Sequence, residues 1–467
     1  MNHVASRLTV LTETEIDMIL DTAIVILQDR GAAVQNSRLC ALLRERGAQW
    51  DGGDAVRFPR QVIERFLAGI DRAYWSDEAK MSFFSVAEVC TGWYLDPLDG
   101  EEKPWNEARF ADYIKVMGSL PNVDHVDLLG CHFEESPLAL QPLYEKYFAF
   151  KYGTTGGSAI WDTALCAPIL QMYELLAQEK QQPLGDVFQA GVYLISPLRF
   201  AREEAEQVMW FYDRGLRVGI GANGALGAGF PVTMAGALAL HLAEYILISL
   251  LNQALYGDNR VHMGWSISPM DMRTGAFRYG RPEKSIANIA GAQIARRLGF
   301  GFSGPAGLTD ACRPGFEAAA QKATSALLSA MACGKGYIPA GLLAVDEVFS
   351  PVQMVLDDEM LSSWKHIAGG LEVDEETLAM EAITRQVPGG NFLGDEHTAM
   401  HFRAALWEPR VYSRSMPSNF RKTRKTETDR ARDKAMEAME QGNAGIGLSQ
   451  RCQRDLLRVI DSAKAQL

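Results

Sequence analysis

Polar side chains that could do chemistry follow two apolar runs in the second half of the chain. The run at 299–304 leads into a glycine- and proline-rich loop with Asp310, and the run at 336–343 leads to Asp346 and Glu347. Between them, the evenly periodic, alanine-rich segment 315–331 predicts a helix. Strand, loop, helix, strand and loop form the repeating unit of a parallel α/β barrel, whose enzymes carry their chemistry on the loops after the strands. We therefore expect Asp310, Asp346 and Glu347 to be catalytic.

Similar loops follow the other predicted strands. They supply aromatic and small polar groups and few clustered metal ligands: Cys131, His132, Glu134, Trp161, Ser196, Asn223, Trp265, Ser266, Ser268, Asp271, Arg273, Thr309, Cys312, Arg313 and Leu342. Any single one of these residues more often caps a loop than takes part in a reaction. Their recurrence at the ends of several strands indicates a functional mouth.

Seven predicted strands position these loops, at 123–130, 154–161, 187–196, 217–223, 260–267, 299–304 and 336–343. They alternate with helical segments, which favours a parallel α/β fold. A closed barrel needs an eighth strand, which could come from 93–95 or from beyond residue 365. The predicted fold is a (β/α)8 TIM barrel at 104–370, with a helical and β-rich N-terminal cap at 1–103. A helical extension at 371–467 is expected to pack on the barrel.

The N-terminal cap has clear helix signals. Segment 12–31 begins with a Thr12 to Glu15 capping box, and further helices are predicted at 37–47 and 60–70. Residues 81–102 are expected to pair among themselves as a hairpin or meander.

Composition favours one large globular body that does not bind nucleic acid. The 467 residues carry a net charge of -12, and phosphates demand a basic surface. The basic cluster at 421–434 fits a solvated helix face better than a patch for an anionic partner. Seven scattered cysteines make no disulfide framework, and the N-terminus lacks a signal pattern. The apolar helix starting at Met234 contains His241, Glu244 and Asn252, so we expect it to be buried in a cytoplasmic protein without a membrane segment.

Two further motifs carry weaker signals. His397 and His401 lie four residues apart and would share a helix face, but no third metal ligand is near, so helix packing or pocket lining is favoured over zinc. The glycine-rich run at 219–229 lacks the βαβ context and acidic residue of a dinucleotide site. We predict no metal at either place.

Several stretches resemble the trimethylamine:corrinoid methyltransferase family. They are ILDTAIVILQDRGAAVQN, YLDPLDGEEKPWNEARFADY, ISPLRF, FPVTMAGALA, SPMDMRTGAFRYGRPE, GLTDACRPGFEAAAQK and GGNFLGDEHTAMHFRAALWEPRVYSR. The likeness runs from about residue 11 to 414. It implies a TIM barrel that passes a methyl group from a methylated amine to the cobalt of a separate corrinoid protein, with no tightly bound cofactor of its own. It also implies a homo-oligomer.

The sequence departs from that family in two places. The pyrrolysine of the family's trimethylamine enzymes lies after the last predicted strand, near Leu342, and this chain has none. Many relatives show a Trp-Leu-Glu-Gly-Gly-like sequence there, where this chain has residues 342–346 as Leu-Leu-Ala-Val-Asp. A quaternary ammonium leaves as a neutral tertiary amine without prior protonation, so a quaternary amine of the betaine kind is the expected substrate.

The resemblance and the chemistry of such a substrate assign roles to the strand-end residues. A quaternary ammonium needs a desolvated aromatic box, for which Trp161, Trp265, Phe302 and Phe349 are candidates, although each is more often a core residue. Asn223 and Leu342 would complete the pocket, and Arg273 or Arg313 could bind a substrate carboxylate. Asp310 and Asp346 could instead balance the cation or contact the corrinoid. The residues expected to face the corrinoid are His132, Ser196, Ser268, Asp271 and His397.

Two alternatives stay open at this point. One is a metal-dependent TIM-barrel hydrolase that uses His397 and His401. The other is a barrel that binds quaternary amines without turnover, which the missing Trp-Leu-Glu pattern motivates.

Overall fold

The computed structural model describes residues 3–4, 8–75 and 80–466. Helices cover about half of the chain. In chain order they are α1 (Glu13–Val25), α2 (Ser37–Glu45), α3 (Arg60–Ala68), α4 (Glu107–Gly118), α5 (Gln141–Lys151), α6 (Cys166–Lys180), α7 (Leu184–Val187), α8 (Arg202–Tyr212), α9 (Met234–Tyr256), α10 (Pro282–Leu298), α11 (Phe316–Cys333), α12 (Pro351–Gly369), α13 (Met380–Gln386), α14 (Glu396–Ala405), α15 (Pro417–Thr423), α16 (Glu427–Gln441) and α17 (Gln450–Lys464).

The strands are short and spread along the chain as far as residue 349. They are β1 (Ala32–Val34), β2 (Gln49–Trp50), β3 (Ala55–Arg57), β4 (Ser82–Val89), β5 (Trp93–Leu95), β6 (Glu102–Lys103), β7 (Val126–Leu128), β8 (Thr155–Gly156), β9 (Gly191–Ile195), β10 (Arg199–Phe200), β11 (Gly219–Ala225), β12 (His262–Gly264), β13 (Ile267–Ser268), β14 (Gly301–Ser303), β15 (Lys335–Pro339), β16 (Leu342–Leu343) and β17 (Val348–Phe349).

These strands pair into four sheets. One is parallel throughout, in the order β15-β4-β7-β8. A second runs β13-β11-β9-β10-β1-β3-β2, with β13, β11 and β9 parallel, and a third is the parallel pair β12-β14. The fourth is the small mixed sheet β16-β17-β5-β6. The protein is thus a mixed α/β structure with several parallel sheets. Within the described ranges the pairings form no single closed ring, so they do not confirm the predicted TIM barrel.

Each of the seven predicted strands overlaps an observed parallel strand: β7, β8, β9, β11, β12, β14 and β15. A further parallel strand is β4, which lies between β15 and β7. Neither region suggested for an eighth strand takes such a position. β5 pairs instead with β17 and β6, and the elements described beyond residue 365 are helices.

The local hairpin predicted at 81–102 is confirmed for β5 and β6 and is wrong for β4. Phe83, Ala87 and Val89 alternate along β4 and are buried. β4 is paired along both edges, with β7 on one side and β15 on the other, and both partners come from distant parts of the chain. β4 therefore belongs to the parallel sheet although it precedes residue 104. The division of the chain at residues 103 and 370 stays a prediction.

Two predicted helices are confirmed in detail. α1 starts with the expected capping box, in which the Thr12 hydroxyl accepts from Glu15 N and the Glu15 carboxylate accepts from Thr12 N. α9 is the one helix, among the residues described, that is long and apolar enough to cross a membrane. However, 78% of its apolar window is buried within the protein, as expected for a helix packed on a sheet.

Residues 410–412 of the C-terminal segment bind to two buried acidic side chains of α12, Asp358 and Glu359. The Glu359 carboxylate accepts the backbone N–H groups of Arg410, Val411 and Tyr412, each at 2.9 Å, and Asp358 pairs with the Arg410 guanidinium at 2.5 Å. α16 packs on α12 and α4, and α17 packs on α5 and α6. The basic cluster at 421–434 lies on α15 and α16 among acidic partners, including an ion pair between Lys425 and Asp433.

Candidate active site

A cavity of about 1580 Å³ lies among the parallel strands. It extends from their amino ends, where Ser82 and Gly219 line it, to their carboxyl ends, where Cys90, Asn223 and Leu342 do. Small residues keep it open, since glycine recurs at inward positions of β11, β12 and β14. A cavity of this size can hold a small organic molecule with room for a second reactant.

Glycine is required at two of these inward positions by the lack of space beside it. A Cβ at Gly221 would come within 2.9 Å of the Tyr193 ring, and one at Gly301 within 2.6 Å of His262 Nδ1. A larger residue at either position would push the neighbouring ring into the cavity.

Six aromatic side chains line this cavity: Phe84, Tyr193, Tyr245, Tyr279, Phe302 and Tyr337. Tyr193 exposes 66% of its surface, although it stands in a cavity wall. The Phe84 and Tyr337 rings lie 4.8 Å apart. Aromatic faces attract cations without needing a hydrogen bond, so this wall suits an alkylated ammonium.

Three carboxylates, Glu88, Asp127 and Asp346, face the same space. Glu88 accepts a hydrogen bond from the Tyr337 hydroxyl. Burial raises the pKa of Glu88 to about 7, with Asp127 and Asp346 adding to the rise and the Tyr337 hydrogen bond opposing it. Burial and then the charge of Glu347 raise the pKa of Asp346. A cation in the cavity would relieve this crowding of negative charge.

One ammonium group, that of Lys284, enters the same region from α10. Lys284 is 3% exposed, and its Nζ donates to Ser268 Oγ at 3.2 Å. The same Nζ lies 4.7 Å from the centre of the Tyr279 ring. Burial lowers the pKa of Lys284 to about 8, and the charge of Asp346 opposes this shift.

Tyr279 is held in place by Asp310 and joins two parts of the site. Asp310 Oδ1 accepts the backbone N–H of Tyr279 at 2.6 Å and that of Gly280 at 3.1 Å. The Tyr279 hydroxyl then donates to Asp346 Oδ2 at 3.5 Å. Asp310 thus positions a residue of the cavity wall.

A buried polar pair on α9 supports the opposite wall. His241 Nδ1 and Glu244 Oε2 are 3.1 Å apart, and both side chains are fully buried. His241 Nε2 accepts the backbone N–H of Ser266, and Glu244 accepts from the Ser196 hydroxyl, each at 3.1 Å. Burial lowers the pKa of His241, so the ring accepts as a neutral imidazole. The pair therefore fixes Ser266, which lines the cavity.

The structure brings only some of the predicted site residues together. Four line the cavity, namely Asn223, Phe302, Leu342 and Asp346. Three contact residues or backbone of its wall: Asp310 through Tyr279, Ser268 through Lys284, and Ser196 through Asn223 O at 3.2 Å.

The other predicted residues lie outside the cavity wall. Trp265 and Phe349 are fully buried core residues, with the Trp265 indole donating to Ala287 O at 2.9 Å. Arg313 pairs with Glu102 at 2.6 Å, and Asp271 pairs with Arg281 at 3.3 Å. Exposed positions are taken by Trp161, Arg273 and Glu347, and the buried Nδ1 of His132 has no hydrogen-bond partner among the described residues.

The two histidines of α14 form no metal centre in the described part of the chain. The His397 and His401 rings are 4.4 Å apart, and His401 faces Glu376 at 3.8 Å. The residues described include no group of three His, Cys, Asp or Glu side chains placed to hold a metal. The glycine-rich run at 219–229 begins with strand β11 and is no nucleotide loop.

Sequence reasoning missed the residues inside the strands. The rule that chemistry lies on the loops after the strands does not reach Glu88, Tyr193 and Tyr337, which lie within strands. The signal was present in β4, where Ser82, Phe84, Val86 and Glu88 alternate with buried residues and all line the cavity. Lys284 had no such signal, since it looks like an ordinary first-turn lysine of a helix.

Comparisons with known proteins agree on one family. The family described as Trimethylamine methyltransferase (MTTB) matches residues 1–467. Trimethylamine methyltransferase MttB of Methanosarcina thermophila is 30% identical over 422 residues, 84% of each chain. Glycine betaine methyltransferase of Desulfitobacterium hafniense (strain Y51) is 23% identical over 432 residues, 89% of each chain. MttB of D. hafniense (strain DSM 10664 / DCB-2) is 28% identical over 262 residues, 56% of this chain and 52% of that relative.

Proposed function

The chain belongs to the trimethylamine methyltransferase family, and from this premise we propose that it moves a methyl group from a quaternary amine of the betaine type to the Co(I) of a corrinoid protein. The observation that carries the proposal is the cavity lined by aromatic rings and buried acids. These groups stabilise a cation that offers no N–H to donate.

The chemistry of the step sets what the chain has to provide. Co(I) gives its electron pair to the methyl carbon, the C–N bond breaks, and its electrons return to nitrogen, which leaves as a neutral tertiary amine. No proton moves, so no general acid is needed. The chain's own contribution is to bind the ammonium, exclude water and orient one methyl group toward the acceptor.

The cavity residues take these roles as follows. Tyr193, Tyr279, Phe302 and Tyr337 surround the ammonium, and Asp346 and Glu88 offset its charge. Asp310 acts as a positioning residue through Tyr279. Asn223 and Leu342 close the pocket at the carboxyl ends of the strands.

The fold that best accounts for the cavity is a closed (β/α)8 barrel. Its strand order would be β4, β7, β8, β9, β11, β12, β14 and β15, returning to β4. Backbone hydrogen bonds across two of the gaps between sheets support this order. Gly191 N donates to Ser158 O at 2.8 Å, between the residues after β8 and β9, and Gly224 N donates to Ser266 O at 3.2 Å, between β11 and the residues just after β12.

A corrinoid protein would dock over the carboxyl ends of the strands. Large apolar side chains are exposed on the loops that follow them: Leu129, Leu138, Trp161, Val232, Met272 and Phe316, with Phe316 89% exposed. Apolar groups around a cavity mark a protein contact surface. Asp271, Arg273, His132 and Glu347, on the same loops, would form its polar rim. That His397 faces the corrinoid protein stays a prediction.

Two wider assignments complete the proposal. The segment 371–420 also exposes many large apolar side chains, with Leu393 at 89% and Met416 at 69%, which supports a homo-oligomer. All seven cysteines are free thiols, which supports a reducing cytoplasm. Light scattering of the purified protein tests the first assignment, since a monomeric mass would contradict it.

The function is tested by mixing purified protein with cob(I)alamin and single amines, and following methyl–cobalt absorbance. We expect product from one or more quaternary amines, such as glycine betaine or choline, and none from trimethylamine. Product from trimethylamine alone would contradict the proposal. The assay is repeated with a corrinoid protein as acceptor, because a docked partner would hold its cobalt at the distance from the bound methyl group that the transfer requires.

A further inference from the structure

Lys284 is a buried cation that the step described above does not use. It lines the cavity, and Ser268 is its one hydrogen-bond partner among the described residues. Within that part of the chain, Lys284 forms no direct ion pair: its Nζ lies beside the face of Tyr279, and the charge of Asp346 acts on it without a direct contact. Burying an ammonium without a directly paired counter-charge costs free energy, so a binding role offsets that cost.

The other two buried lysines have partners elsewhere, and neither of them lines the cavity. Lys322 Nζ donates to Pro339 O, Leu342 O and Asp357 Oδ2 at 3.0, 2.8 and 2.7 Å. Lys146 Nζ donates to Ala159 O at 2.7 Å and lies beside the buried Glu145. An ammonium has three N–H donors. Lys284 therefore keeps donors for a group inside the cavity.

The remaining cations are less suited to a ligand in this region. Arg217 and Arg260 line the cavity at the amino ends of the strands, and both pair with Asp258, at 2.5 and 2.9 Å. Two more cations line the cavity and are exposed to solvent: Arg72 and Lys335, the first residue of β15. Arg313 is committed to Glu102, and Arg273 does not line the cavity. Lys284 is thus the cation closest to the Tyr279 and Asp346 part of the wall.

We propose that Lys284 binds the carboxylate of a zwitterionic quaternary amine, and so selects betaines over cationic amines such as choline. The inference rests on the proposed function and names the substrate class of the same site. Tyr279 joins the two ends of the arrangement: its ring contacts the Lys284 ammonium, and its hydroxyl contacts Asp346. A zwitterion matches this order of charge, with its carboxylate at Lys284 and its ammonium among the rings and acids.

The test is a calorimetric binding comparison of glycine betaine and choline, without any corrinoid. Wild-type protein is expected to prefer glycine betaine. Lys284→Met should weaken glycine betaine by roughly 10- to 100-fold, the loss of a hydrogen bond between charged groups, and leave choline within about threefold. Lys284→Arg should restore part of the preference. Lys180→Met, which removes an exposed lysine at the end of α6, is the matched control.

Equal weakening of both ligands in Lys284→Met would overturn the inference, since it would show a general effect on the cavity. So would a wild-type protein that binds both ligands equally. Should Lys284→Met fail to fold, Lys284→Gln and the wild-type pH profile carry the test.

The pH profile needs no substitution. As pH rises through about 8, Lys284 loses its charge, so the preference for glycine betaine over choline should shrink. The other groups that face Lys284 are Asp346, Tyr279 and, from α9, His241. These three groups act on the ammonium that both ligands carry, so the ratio of the glycine betaine affinity to the choline affinity reports on Lys284 alone. A ratio constant from pH 6 to 9, at about these values, would contradict the inference.

Failure of the inference and failure of the proposed function have different signatures. Methyl transfer from choline without any preference for a carboxylate rejects the role of Lys284 and keeps the methyltransferase. Preferential binding of glycine betaine with no methyl transfer to cob(I)alamin or to a corrinoid protein keeps Lys284 and rejects the reaction.

Discussion

The buried ion pair between Lys322 and Asp357 should hold both the fold and the cavity wall. Both side chains are fully buried and 2.7 Å apart. Lys322 also donates to Pro339 O and Leu342 O, and Leu342 lines the cavity. We expect Lys322→Met to lower the free energy of unfolding by about 3–5 kcal/mol, because it leaves a buried carboxylate without its counter-charge.

The hydrogen-bond partners that Asp357 keeps after Lys322 is replaced determine how much stability a second substitution, at Asp357, restores. Asp357 still accepts the Gly341 N–H at 2.9 Å and the Gln353 amide at 2.8 Å. Lys322→Met with Asp357→Asn removes the lone charge and keeps one of the two acceptor oxygens, since the amide nitrogen replaces the other. It should therefore be more stable than Lys322→Met alone, by about 1–3 kcal/mol.

Urea unfolding followed by circular dichroism measures these differences. Lys180→Met serves as the surface control, with a change within about 0.5 kcal/mol. Two results would refute the reasoning. One is a loss below about 1 kcal/mol in Lys322→Met. The other is a double variant whose loss equals the sum of the losses in Lys322→Met and Asp357→Asn measured separately.

Three further perturbations test other parts of the site and fold. Burial raises the pKa of Glu88 from an ordinary 4.5 to about 7, so ionisation favours the unfolded chain. The stability of wild type relative to Glu88→Gln should fall as pH rises from about 4.5 through about 7, by up to about 3 kcal/mol in urea unfolding, and a flat difference would count against it. Tyr193→Ala should weaken tetramethylammonium binding roughly 5- to 30-fold by calorimetry, while Tyr193→Phe keeps the ring and most of the affinity; equal losses would exclude a cation–ring contact. Glu359→Ala removes the acceptor of three backbone N–H groups at 410–412, so it should cost about 1–3 kcal/mol and speed proteolysis within 406–414, which mass spectrometry of the fragments locates; unchanged cleavage would show that the segment is held by other contacts.

Local patterns in the sequence predicted several of the helices and most of the parallel strands. The capping box of α1 and the continuous apolar surface of α9 are short-range features, so periodicity and cap residues suffice to find them. β4 shows the limit of prediction from local sequence patterns. Its alternation indicates a strand, but its pairing with β7 and β15 joins residues far apart in sequence, and no local rule names the partners.

The candidate site was predicted in part for the same reason. Asp346, Asn223, Phe302 and Leu342 lie near strand ends, and the rule that loops after strands carry chemistry found them. Glu88 and Tyr337 act from inside strands, and their contact crosses from β4 to β15. Arg313 looked free in the sequence and is paired with Glu102, which only the folded chain brings near.

The central claim is that a methyl group leaves a quaternary nitrogen and arrives on cobalt in this cavity. It is tested most directly with glycine betaine carrying ¹³C-labelled N-methyl groups, cob(I)alamin and the purified protein, observed by ¹³C NMR. The account predicts a labelled methyl–cobalt signal together with an equal amount of dimethylglycine, both reduced in Tyr193→Ala. The account would be contradicted if labelled glycine betaine and other quaternary amines stayed intact both with free cobalamin and with a corrinoid protein.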